Sequence, residues 1–291
     1  MTDSGATRVA VYLDFDNIVI SRYDQVHGRN SFQRDKTNGL DKERLGLATV
    51  DVGAIIDFAS SFGTLVLTRA YADWSADVNA AYHGQLVGRA VDLVQLFPAA
   101  AYGKNGADIR LAVDAVEDMF RLPDLTHVVI VGGDSDYIAL AQRCKRLGRY
   151  VVGIGVAGAS SRSLAAACDE FVTYDALPGI PTVAEQPAER KRRGRQASAP
   201  ESDDEPAPGD AQPAATGLLE RALRIGQEKD DTDWLHNSAV KAQMKRMDPS
   251  FSEKALGFKS FSDFLRSRGD LVDLDETSTA RMVRLHTDSA P

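Results

Sequence analysis

Three short acidic stretches hold the side chains of this 291-residue chain with the most capacity for chemistry. Asp14-Phe15-Asp16-Asn17 follows the apolar run VAVYL, Asp134-Ser135-Asp136 follows VVIVGG, and Asp108 comes just after Lys104-Asn105-Gly106-Ala107. Each aspartate has an ordinary structural explanation: Asp after a buried strand commonly caps the next turn, and Asp in the first turn of a helix meets the positive end of its dipole. Jointly they ask for more. Carboxylates brought into one pocket repel one another and raise their own pKa unless something positive neutralises them. A metal ion does this best, and hard oxygen ligands with no histidine or cysteine cluster beside them suit Mg²⁺ or Mn²⁺ better than Zn²⁺.

Whether these residues meet depends on the elements that carry them. Val128, Val129, Ile130 and Val131, stopped by Gly132 and Gly133, read as a buried central strand closing in a tight turn, and residues 8–14 read as a second. Apolar spacing predicts helices over 50–62, 79–90, 107–122, 137–147 and 161–167, and strands over 64–71, 91–97, 150–156 and 171–174. The helix over 107–122 is the most strongly amphipathic, with Ile109, Leu111, Val113, Val116, Met119 and Phe120 at its apolar positions. Regular alternation of strand and helix implies a parallel sheet with helices on both faces, and ligands of such sheets collect beyond the carboxyl ends of the strands. Residues 21–38 show neither period and read as an inserted loop beside the site, in the place of a substrate lid.

Composition bounds the rest. With 43% hydrophobic residues the chain can bury one full core and a second, smaller one. No apolar run approaches the ~20 residues that span a bilayer, and MTDSGATR lacks the pattern of a signal peptide, so a cytoplasmic protein with no membrane partner is expected. A net charge of -8 argues against coating nucleic acid by bulk electrostatics and leaves room for a local basic patch. Cys144 and Cys168 sit among apolar neighbours and read as buried thiols. From 179 to 215, prolines, a basic cluster at 190–195 and the acidic run Asp203-Asp204-Glu205 read as a disordered linker. Helical spacing resumes at Leu218, Leu219, Ala222, Leu223 and Ile225, and a closing hairpin is expected over 271–273 and 282–285. The domains are thus expected at 1–178 and 216–291, α/β and small α+β respectively.

The stretches YLDFDNI, KNGADIRLAVDA and VVIVGGDSDYIAL, in that order, resemble the NYN domain, a PIN-like ribonuclease fold. The resemblance covers residues 8–175 and implies a PIN-like, Rossmann-like parallel sheet that binds divalent metal for RNA cleavage through Asp14, Asp108, Asp134 and Asp136. Asp114 matches a further acidic position. Asp16 stands where the family pattern more often has a small or varied residue. In this reading Asn17 orients Asp14 or contacts the backbone phosphate, Ser135 donates a hydrogen bond to a carboxylate, and Lys104 faces the phosphate. Farther on, LLERAL, Trp234 and DPSFSEKALGFKSFSDFL are similar to the LOTUS or OST-HTH domain, a winged-helix-like fold. That resemblance implies binding of RNA, single-stranded or structured, or of a protein partner. Trp234, Phe251, Phe258, Phe261 and Phe264 match its core pattern, which leaves Lys254, Lys259, Arg266 and Arg268 as candidates for phosphate contacts.

Two other functions stay open on sequence. LDFDNI also fits a haloacid dehalogenase-type phosphatase, with Asp14 as nucleophile, Asp16 as acid/base and Mg²⁺ at a later acidic strand end. Against it, Ile18 stands where Thr or Val is usual. A non-catalytic RNA-binding or scaffold protein with a structural acidic cluster is the third reading, and the intact carboxylates weigh against it.

Overall fold

The computed structural model describes residues 6–97, 106–181, 211–230, 232–275 and 281–286, and the chain divides into two compact units, Met1–Val183 and Ala184–Pro291. Lys104 and residues 182–210 of the expected linker lie outside the described residues.

In the first unit the elements are β1 (Arg8–Asp14), α1 (Phe15–His27), α2 (Ser31–Asn38), α3 (Lys42–Leu47), α4 (Val52–Ser60), β2 (Thr64–Ala72), α5 (Asp77–Ala80), α6 (His83–Gly88) and β3 (Asp92–Gln95), followed by α7 (Gly106–Arg121), β4 (His127–Val131), α8 (Ile138–Arg146), β5 (Tyr150–Gly155), α9 (Arg162–Ala167) and β6 (Glu170–Thr173). The six strands form one sheet in the order β3-β2-β1-β4-β5-β6, and every pairing is parallel. β1 is covered on both faces, and its side chains alternate between two cores. Val9, Val11 and Leu13 join Ile55, Ile56 and Ile154 on one side, while Ala10 and Tyr12 join Leu111, Met119, Tyr137 and Leu140 on the other.

The expected strands and most of the helices are present, and the exceptions have local causes. Residues 21–38 are not a loop. They complete α1 and form α2, because Phe15, Ile18, Val19, Arg22 and Tyr23 make one buried helical stripe in which a buried arginine disguises the period. Asp24 then accepts from Asn30 N (3.0 Å) and Phe32 N (2.8 Å), so a polar side chain holds the turn into α2. The helix expected over 79–90 is two short ones, α5 and α6. α7 packs through Leu111, Ala115 and Met119, whereas Ile109, Val113 and Phe120 are 63%, 56% and 71% exposed, so its apolar residues do not all share one face. Cys144 and Cys168 are buried free thiols, and burial pushes both up to about 12.

The second unit contains α10 (Ala211–Asp230), β7 (Leu235–His236), α11 (Asn237–Met247), α12 (Phe261–Arg266), β8 (Val272–Asp275) and β9 (Met282–Leu285). The strands make an antiparallel sheet in the order β7-β9-β8. α10 begins inside the stretch expected to be linker, at Ala211. Leu219, Leu223, Met244, Phe264 and Val283 are fully buried, with Phe251 and Phe261 beside them and Phe258 packed against the edge. Trp234 is not part of this core; it is half-buried, with the Arg284 guanidinium 4.7 Å from its ring centre. Among the described residues no helix is long and apolar enough to cross a membrane.

Candidate metal centre

The chain turns to opposite sides of β1, running outward to β2 and β3 and then crossing to β4. The carboxyl ends of β1 and β4, in register through Leu13 and Val131, therefore border the crevice where an open sheet reverses its strand order. Asp14 ends β1 there. Gly132 and Gly133 carry β4 past it: a Cβ at Gly132 would stand 3.0 Å from the Tyr137 ring and 3.4 Å from Asp14 Cβ, and one at Gly133 would stand 3.1 Å from Ser160. Side chains at these positions would push the two strand ends apart.

Asp14 both caps and reaches inward. Its Oδ1 accepts from Asn17 N (3.1 Å), the ordinary capping role, and its Oδ2 accepts from the Tyr137 hydroxyl (2.8 Å). The same hydroxyl lies 2.7 Å from Asp108 Oδ1. A phenol has one hydrogen to give, so two carboxylates at this distance from it imply a second proton, resident on one of them. Burial pushes Asp14 up to about 7, eased by the bonds from Tyr137 and Asn17 and reinforced by the charges of Asp108 and Asp16. Asp108 is raised for the same first cause, with Asp134 and Asp136 adding repulsion. Burial, then Asp14, holds the Tyr137 hydroxyl far above its usual range, so it stays a donor.

Asp108, Asp134 and Asp136 each offer a carboxylate oxygen, and these three atoms lie within 4.8 Å of one another. This is an all-oxygen, anionic donor set open to solvent on the Asp136 side, and it fits a hard divalent cation. Asp14 stands behind the three, joined to Asp108 through Tyr137. Asp134 also caps its own turn, accepting from Asp136 N (3.1 Å), with the Ser135 hydroxyl 3.4 Å away. Asn17 Oδ1 accepts from Gly133 N (3.1 Å), which clips the ends of β1 and β4 together.

The supporting positions separate. Asp16 turns toward the end of β2, where Oδ1 accepts from Asn79 Nδ2 (2.6 Å) and Oδ2 from Asp73 N (3.3 Å). An acid/base aimed at a phosphoryl group on Asp14 would need those oxygens, so this geometry weighs against the phosphatase. Asp114 is buried between the Tyr71 hydroxyl (3.1 Å) and Arg110 Nε (2.9 Å), which explains it structurally. Sequence reasoning passed over Tyr137. The signal was present: a hydroxyl-bearing aromatic at a core position directly after the acidic pair.

In the second unit Lys254 and Lys259 are exposed, and Arg266 pairs with Asp263 (2.7 Å). Arg268 is committed to the fold, donating to Thr216 Oγ1 (2.8 Å) and to Gln212 Oε1, with its guanidinium 5.1 Å from the Phe264 ring centre.

Residues 8–175 match the NYN domain and residues 214–284 match the OST-HTH/LOTUS domain. A solved structure of a protein of unknown function from Vibrio parahaemolyticus is similar at 21% identity and a TM-score of 0.42, covering 60% of this chain and 96% of that one. No curated protein sequence matches the chain. NYN domains are PIN-like nucleases, and an OST-HTH domain suggests RNA binding. The chain belongs to the NYN family and carries an OST-HTH/LOTUS domain behind the nuclease fold.

Proposed function

We propose that the amino-terminal domain is a Mg²⁺- or Mn²⁺-dependent ribonuclease that hydrolyses RNA phosphodiester bonds, and that the carboxy-terminal domain holds the RNA. The observation that carries this reading is the close approach of Asp108, Asp134 and Asp136 at a strand-order switch point. Asp108, Asp134 and Asp136 would hold the cation directly, with Asp14 a further ligand or its immediate support. When bound, the ion supplies charge neutralisation at the scissile phosphate and makes a neighbouring water more acidic.

The chain's own residues prepare that place. Tyr137 fixes the mutual distance of Asp14 and Asp108 with a hydroxyl that stays protonated. Asn17 fixes the spacing of the strand ends that present Asp14 and Asp134. Ser135 restrains Asp134, and Lys104 is assigned to the substrate phosphate. No covalent intermediate on the protein is required. A water oxygen forms the new bond to phosphorus as the bond to the leaving ribose oxygen breaks.

Single-stranded RNA incubated with the full chain in Mg²⁺ or Mn²⁺ tests the reading. Cleavage that stops on chelation and in Asp134→Asn supports it, and cleavage unaffected by both overturns it. The cytoplasm as location and a second, protein partner of the carboxy-terminal domain belong to the same proposal.

A further inference from the structure

The carboxy-terminal domain has a second kind of polar site, opposite in sign to the first. A cavity of about 360 Å³ opens at the start of α11, lined among others by Asn237, Ser238, Lys241, Ser262 and Arg281. Asn237 is the informative residue. It is 9% exposed, and both its carboxamide oxygen and its nitrogen are buried without a hydrogen-bond partner. Buried polar groups are normally paired, and an unpartnered amide N–H in a cavity wall calls for an acceptor that the protein does not supply.

The surroundings say what sign that ligand has. α11 is an eleven-residue helix whose N-cap, His236, makes no side-chain capping bond; its first N–H, that of Asn237, donates to Arg281 O (3.0 Å), and no side chain caps the N–H groups that follow. Lys241 stands one turn along, its ammonium 2.5 Å from the buried Glu253 carboxylate. That pair is nearly neutral. Among the described residues Arg281 adds the net charge: it is exposed, and its guanidinium rests on the neutral Ser262 hydroxyl at 3.0 Å. Helix dipole, guanidinium, hydroxyls and an unpaired amide together form a seat for a tetrahedral oxyanion.

We propose that this cavity binds a phosphodiester of the RNA backbone, the positioning contact of the carboxy-terminal domain. The inference rests on reading that domain as RNA-binding and moves its phosphate contact away from Arg268, which the fold uses, to Arg281, Ser238 and the start of α11. A solvent-open seat with one net charge suits a passing phosphodiester better than a terminal dianion. A single contact of this kind orients the strand without reading its sequence.

The test is equilibrium binding of a fluorescent single-stranded oligouridine to the full chain in EDTA, so that cleavage does not intervene. Arg281→Ala weakens binding about fivefold and lowers the salt slope by about 0.7, the share of one phosphate on a single strand. Ser238→Glu places a carboxylate where the phosphate sits, so it weakens binding at least as much while leaving the melting temperature unchanged or higher, since an acid in the first turn favours the helix. That combination separates lost ligand contact from lost folding. Strands with 5′-hydroxyl and 5′-phosphate ends bind alike, and a strong preference for the 5′-phosphate overturns the assignment to the internal backbone. A phosphoserine peptide that displaces RNA at equal concentration overturns it in favour of a protein ligand. Wild-type affinity in both pocket variants, with weakened binding in Lys254→Ala/Lys259→Ala, overturns the pocket and keeps the RNA-binding reading. Wild-type affinity in all of these variants overturns both.

Discussion

Three aspartates of one helix, α7, each meet a buried tyrosine of the sheet or its turns, and they end in opposite electrostatic states. Asp118 accepts from Tyr12 (3.1 Å) and pairs with Arg69; Asp114 accepts from Tyr71 (3.1 Å) and pairs with Arg110 (2.9 Å). Asp108 meets Tyr137 at 2.7 Å, and the charges that then act on it are those of Asp134 and Asp136. Two of the three sites are neutralised by the protein itself. The third gathers like charge, for which a retained proton or a bound cation would be the balance. A count of acidic residues does not separate a structural carboxylate from a functional one; the sign of its remaining neighbours does.

The largest effect expected from this contrast is on catalysis. Asp134→Asn and Asp14→Asn should each lower RNA cleavage by roughly a thousandfold or more, since a metal site contributes several kcal/mol to transition-state stabilisation. Far-ultraviolet circular dichroism should show an intact fold. Asp16→Asn should lose much less, because its carboxylate serves Asn79 and Asp73. Equal losses at Asp14 and Asp16 would return the phosphatase to contention.

The neutralised sites should respond in stability. Asp118→Ala leaves Arg69, whose side chain is 22% exposed, without its carboxylate, and unfolding in urea should show a loss of about 3 kcal/mol. The folded fraction should still bind Mn²⁺ normally. If Mn²⁺ affinity falls in parallel, the division of α7 into a structural and a functional half is wrong.

These distinctions show how far the sequence reached. β1, β4 and their acidic ends were legible because β-branched runs ending in Gly or Asp have few other foldings. That Asp108 joins Asp134 came with the resemblance to the NYN domain; chain order did not supply it, because β3, the strand before Asp108, is at the sheet edge and not beside β4. What stayed hidden were the partners contributed from a distance. Nothing local to Asp114 distinguishes it from Asp108, because Tyr71 comes from another strand, and Arg110 four residues earlier reads as an ordinary helix pair. Arg22 within the stripe of α1 and Arg268 under Phe264 are buried or packed cations, which hydropathy assigns to the surface. Trp234 failed in the opposite sense: its apolar bulk suggested core, and it serves as a platform for Arg284.

Tyr137 sharpens the comparison at the level of metal affinity. Tyr137→Phe keeps the ring against Gly132 and removes the hydroxyl between Asp14 and Asp108. Loss of an outer partner of metal-holding carboxylates should weaken Mn²⁺ binding about tenfold by calorimetry. Tyr12→Phe, at the neutralised end of the helix, should leave Mn²⁺ affinity unchanged. A Tyr137→Phe protein with wild-type affinity would make the bridging hydroxyl incidental.

The last effect is a gain in stability, and its pH dependence carries the sign of the site. In the folded, metal-free protein Asp14 is pushed up to about 7 from an ordinary 3.8, so the folded state keeps a proton that the unfolded chain releases. The stability this proton contributes is fully present below pH 3.8 and is lost as pH rises through about 7, where a buried carboxylate must ionise. Asp14→Asn has no such proton to lose. The variant should therefore gain on the wild type as pH rises from 5 to 8, by on the order of 2 kcal/mol or roughly 5 °C in melting temperature. Saturating Mn²⁺ should reverse the order, because the ionised carboxylate is then matched and only the wild type presents it. A melting-temperature difference that is flat with pH, or unmoved by Mn²⁺, would mean that Asp14 is held by its cap to Asn17 alone and has no part in the metal centre.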